Sequence, residues 1–106
     1  MLNGIPGCLG PQLLYNLRAM GHGDEIALVD ANYPAQTDAL GTGGLVRADG
    51  VAMAEILDAV LKLLPLDTAV EHAVMIATVG GDGKTFDPVH TQMCDIVARR
   101  AANRPV

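Results

Sequence analysis

Ile26-Ala27-Leu28-Val29, closed by Asp30, is the stretch on which the fold turns. Four apolar residues without alternation read as a strand covered on both faces, the kind that lies in a sheet between helices. Ala73-Val74-Met75-Ile76-Ala77-Thr78-Val79 reads the same way, and Leu45-Val46-Arg47 reads as a short further strand. Helical patterns surround these runs. Pro11 suits the first helical position, where a missing N–H costs nothing. Leu13, Leu14, Leu17 and Met20 then recur at helical spacing, and Gly21 stops the helix. Met53, Ile56, Leu57, Val60, Leu61 and Leu64 form the apolar face of a second helix that Pro65 ends. Asp87 is placed to cap a third, which starts at Pro88 and runs through Val89, Met93, Ile96 and Val97 towards Arg99 and Arg100. Alternation of helices with apolar strands predicts α/β layers. Two strong strands are few for three helices, so the expected sheet is one that these residues do not complete.

The chain has 106 residues, which is one domain or part of one. Half of it (50%) is hydrophobic and 18% is charged, enough apolar material for a core and unlike a disordered segment. A core of this size is modest, and self-association commonly supplements it. With a formal net charge of −5 and seven Lys plus Arg, there is no basic footprint for nucleic acid. Aromatic residues make up 3% and Trp is absent, which argues against base stacking and against a Trp platform for sugars. Cys8 and Cys94 sit in no C-x-x-C pattern and read as reduced thiols of a cytoplasmic protein. The opening Met1-Leu2-Asn3-Gly4-Ile5 has neither the basic nor the apolar region of a signal peptide. The greasiest stretch, Val51 to Leu66, is interrupted by Glu55, Asp58, Lys62 and Pro65, so no membrane span is expected.

The densest polar cluster is Gly21-His22-Gly23-Asp24-Glu25, followed by Asp30-Ala31-Asn32-Tyr33-Pro34-Ala35. His22 falls just past a helix end, and Asp30 falls at the carboxyl end of a strand, where α/β sheets bind ligands. A histidine that exchanges protons near neutral pH, beside a fixed carboxylate, suits general acid–base chemistry. The competing reading has His22 meeting the helix dipole and the glycines merely turning the chain. The residues from Ala31 to Gly44 read as a long loop. Gly80-Gly81-Asp82-Gly83-Lys84-Thr85 looks like the end of a phosphate-binding loop, but Thr78 stands where its first glycine belongs. A polar turn is the better reading there. His90 and Cys94 are four apart on the third helix, yet no further ligand is spaced to join them around a metal. Arg47 has the carboxylates of Asp30 and Asp49 as candidate partners.

Gly-His-Gly-Asp-Glu-Ile at 21–26, Asp-Ala-Asn-Tyr-Pro-Ala at 30–35 and Val-Arg-Ala-Asp-Gly at 46–50 resemble the fucose mutarotase branch of the ribose pyranase/fucose mutarotase family. The opening Leu2 to Pro6, Pro11 with Leu13-Leu14, and Gly83 to Pro88 fit the same order, so the resemblance covers nearly the whole chain. It implies a cofactor-free, metal-free isomerase that interconverts the anomers of L-fucose or a related free monosaccharide through the open-chain aldehyde. His22 is then the proton donor and Asp30 binds a sugar hydroxyl. It also implies a three-layer α/β/α subunit, a single domain over 1–106, and a cytoplasmic homo-oligomer, a ring-shaped decamer in the family. Family chains run on by about a third of this length, within single-domain limits. Their later part carries a sugar-binding Arg and a Tyr-Gly-Asn type segment on the final strands. The resemblance therefore implies that the C-terminal strands are missing here, and no residue is carried over from them. The loop from Gln36 to Gly44 is a few residues longer than the family pattern. The alternative reading is a non-catalytic sugar-binding or transport-associated module with an incomplete site.

Overall fold

A computed structural model describes residues 2–41, 44–67, 72–77 and 87–102. The helices begin and end where backbone chemistry dictates. Helix α1 spans Pro11–Ala19, with Pro11 in its first turn and Gly10 as an N-cap that has no side-chain cap. The Met20 amide closes it by donating to the Asn16 carbonyl at 3.1 Å. Leu13 and Leu17, one turn apart, are its buried residues, while Tyr15 between them is exposed. Helix α3 spans Met53–Leu63, carrying Glu55 in its first turn and Lys62 in its last, the signs the helix dipole favours. Its last capping bond runs from the Leu64 amide to the Val60 carbonyl at 2.8 Å. Pro65 follows and has no amide with which to continue the ladder.

Helix α4 spans Pro88–Ala102. Its first turn is closed by a reciprocal arrangement: the Asp87 carbonyl accepts the amides of His90 and Thr91, while the Asp87 amide donates to His90 Nδ1 at 3.0 Å. The imidazole does here what a Glu does in a capping box. Ile96 is buried, whereas Val89 at the start of the helix is exposed. Farther along, Asp58 of α3 accepts from Arg99 Nη2 at 3.1 Å and from Arg100 Nε at 2.8 Å. Hydrogen bonding to Arg100 is the main reason the Asp58 carboxyl sits below its ordinary value, with burial opposing and Arg99 assisting.

The core joins α1 to α3. Leu9, Leu13 and Leu17 pack with Ile56, Ala59 and Val60, and Val60 is the most deeply buried at 2% exposure. Ile5, Leu14, Met20, Ile26, Leu28 and Val46 lean against this cluster from outside. Each large aliphatic side chain removed from water contributes on the order of 2 kcal/mol, so the cluster is a small one.

The described residues depart from the expected order in two places. No strand is formed among them: Ile26–Val29, Leu45–Arg47 and the described part of the 73–79 run (residues 73–77) carry no ladder, so the α/β reading is not borne out there. A helix closes its hydrogen bonds within itself, but a strand exists only when a neighbour supplies the other half. Apolar content alone buries these segments only partly, with Val29 and Met75 exposed. The stretch read as a long loop, in turn, contains α2 at Ala35–Asp38 and a 3₁₀ turn at Ala39–Gly41. The Gly80–Thr85 turn lies outside the described residues.

Candidate functional site

Past α1 the chain makes a tight turn built by Asp24. Its Oδ2 accepts the Gly21 amide at 2.8 Å, and its own amide donates to the Gly21 carbonyl at 3.1 Å. Gly23 closes the turn at φ +87°, which a residue with a Cβ rarely adopts. His22 is thereby lifted to the apex, its side chain 92% exposed. Its Nδ1 lies 3.6 Å from Oδ2 of Asp67, a half-buried carboxylate just after Pro65. This separation is longer than a direct hydrogen bond, and it places the carboxylate beside the ring.

Asp30 is held by its own turn. Its Oδ1 accepts the amides of Asn32 and Tyr33, each at 3.0 Å. This is an Asx-type turn, in which a carboxylate takes the place of a backbone carbonyl. The sequence pictured Asp30 at the end of a covered strand, whereas here it is exposed on an irregular segment. The next link is a hydrogen bond from the Tyr33 hydroxyl to Oδ2 of Asp38. That bond, and then the charge of Asp38, push the Tyr33 hydroxyl above its ordinary pKa.

His22, Asp30 and Asp67 line one cleft of about 1420 Å³. Its walls are chiefly apolar, from α1, α3, the 26–30 segment and residues 72–77. His72 and His90 reach the same cleft, so all three histidines of the chain border it. Asp67 is the site residue that sequence reasoning missed. It stands alone after Leu64-Pro65-Leu66, with no motif around it, and only the closure of α3 brings it to the 21–24 turn. Arg47 resolves its open pairing locally: Nε and Nη2 reach Oδ2 and Oδ1 of Asp49 at 3.3 and 3.2 Å. His90 is engaged with Asp87, and Cys94 is exposed. Among the described residues no group of three or more His, Cys, Asp or Glu is gathered as a metal site, and no helix is long and apolar enough to cross a membrane.

Comparison with known proteins agrees with the motifs around this cleft. The model of the RbsD / FucU transport protein family matches residues 3–105. The chain belongs to that family. It is similar to the fucose mutarotase of Bos taurus, 43% identical over 102 residues, covering 93% of this chain and 67% of the relative. The fucose mutarotase of Homo sapiens is 44% identical over 106 residues, with 97% and 69% covered. That of Danio rerio is 49% identical over 82 residues, with 77% and 54% covered. The chain thus spans about two thirds of the length of the bovine and human relatives. No solved structure matches it.

Proposed function

We propose that this chain is a monosaccharide mutarotase, an isomerase that interconverts the anomers of L-fucose or a related free sugar. One observation carries the reading: in a family member similar to fucose mutarotases, an exposed histidine and two carboxylates border a single cleft. The cleft exceeds the usual size of a small-molecule site, so the sugar fills only part of it, and His22, Asp30 and Asp67 are the polar lining residues assigned to it. Ring opening needs a proton delivered to the ring oxygen and one removed from the anomeric hydroxyl. His22 delivers the first, with Asp67 holding the imidazole in place for that transfer, and a solvent water in the open cleft takes up the second. Asp30 accepts a hydrogen bond from a sugar hydroxyl and fixes the ring. The open-chain aldehyde then recloses on either face, with the proton transfers reversed. Nothing in this cycle calls for a cofactor or a metal ion.

The fold reading belongs to the same proposal. The apolar segments 26–29 and 73–77 border one cleft, as neighbouring strands of an α/β/α layer within a single domain would. A homo-oligomer belongs to the same reading, because a core this small is commonly supplemented by association with another copy. A cytoplasmic setting fits the free thiols. The test is direct observation of anomer exchange by NMR, comparing L-fucose, D-ribose and D-galactose, on the native chain and on His22→Ala. Exchange that depends on His22 is expected. Sugar binding without exchange would instead mark a binding module.

A further inference from the structure

The turn that holds Asp30 continues beyond Tyr33. The Tyr33 amide donates to Oδ1 of Asp30, and its hydroxyl donates to Oδ2 of Asp38 at 2.5 Å. Asp38 is the last residue of α2, which is four residues long. A helix that short does not sustain itself. It is held by the Ala35 amide on the Tyr33 carbonyl at 2.7 Å and by the Asp38 amide on the Pro34 carbonyl at 3.0 Å. Tyr33 is therefore tied at both ends, its main chain to the candidate sugar ligand and its side chain to the far end of α2. It also lines the cleft, with about half its surface (47%) open to solvent. His22 stands on a separate turn, fixed by Asp24, and has no part in this chain of bonds.

Resting on the mutarotase reading, we infer that Tyr33 is a positioning residue: its bond to Asp38 holds the 34–38 segment and, through the shared turn, aims Asp30 at the sugar. The bond acts on binding and not on proton transfer. Its loss loosens the grip on the sugar while leaving the His22 step intact. Tyr33→Phe keeps the ring and removes the donor. Asp38→Ala removes the acceptor, and Asp38→Asn restores one.

The experiment measures exchange kinetics by NMR and amide hydrogen exchange on the full chain. It uses Tyr33→Phe, Asp38→Ala, the double variant and Asp38→Asn, with L-fucose as the probe. Each single change is expected to raise KM roughly three- to tenfold, the scale of one ordinary intramolecular hydrogen bond, with kcat held within about twofold. The double variant should be no worse than either single, because both break the same bond. Asp38→Asn should recover most of the loss. The amides of Ala35 and Asp38 should exchange faster in the first three variants. Additive losses, or a fall in kcat at constant KM, would overturn the inference, as would unchanged amide protection in Tyr33→Phe. A native chain that exchanges no sugar would remove the mutarotase reading and this role with it, while amide protection would still report whether the clamp exists.

Discussion

The two sides of this molecule are built from equally apolar sequence and reach different degrees of order. On one side, α1 and α3 close a core around Val60, with Leu13, Leu17 and Ile56 inside it, and α4 is clasped to α3 by Asp58. On the other, Ile26–Val29 and residues 73–77 carry similar side chains yet stay half-covered, with no ladder. The difference lies in where the backbone finds its hydrogen bonds. A helix needs only itself and one apolar partner face, whereas a strand must also find a neighbouring strand. Order on the second side is therefore concentrated in short side-chain turns, and those turns carry His22 and Asp30.

The comparison can be broken most forcefully at Val60. Val60→Asp places an unpaired carboxylate at the deepest point of the core, and the chain is expected to lose its cooperative thermal transition, as read by circular dichroism. On the turn side the largest effect is on rate. His22→Ala should lower anomer exchange by about 100-fold or more, with the melting temperature unchanged because the side chain is exposed. Lost stability at an unchanged rate would return His22 to the helix-dipole reading.

Next comes the clasp between α3 and α4. The Asp58 carboxyl is lowered in the folded state, chiefly by its bond to Arg100, so the unfolded chain takes up its proton first as pH falls. The clasp is therefore fully present above the ordinary carboxylate range. Its contribution is lost as pH drops through that range and the lower folded value. Asp58→Asn should reduce the melting temperature by a few degrees at pH 7 and flatten this acid dependence, while native and variant chains should converge once the pH lies below the lowered folded value. The smallest effect is expected at Met75, which is 78% exposed. Met75→Ser should change stability by no more than about 0.5 kcal/mol. A larger loss, together with a lower sedimentation coefficient, would place this segment under a second copy of the chain.

How much of this was legible beforehand follows the same division. Pro11, Pro65 and Pro88 gave the helix boundaries closely, because proline's missing amide is a local property. Leu13, Leu17, Ile56, Val60 and Ile96 could be assigned to apolar faces by spacing alone. His22 and Asp30 stood out through the glycines and turn residues around them. Asp67 did not, since its relation to His22 exists only after α3 has turned the chain back. The reciprocal bond between His90 and Asp87 was also hidden, because histidine is an uncommon residue for that capping role. The strands were read from apolar runs, and such runs specify burial without supplying the partner that makes a strand. Helix α2 escaped notice because Asn32, Pro34 and Gly41 signal a loop, while Ala35 to Asp38 needs only one turn of local bonding.

The bond between Tyr33 and Asp38 has an optical consequence. The chain contains two tyrosines and no tryptophan, and both Tyr15 and Tyr33 lie at the surface. Its ultraviolet emission therefore reports on the surface and carries no direct signal from the core. A phenol becomes a stronger acid when excited, so a carboxylate already accepting its proton quenches the Tyr33 emission. Tyr15, exposed on α1, supplies a background. Brightening on warming would then follow release of the 30–38 turn, a channel separate from the far-ultraviolet signal of the helices.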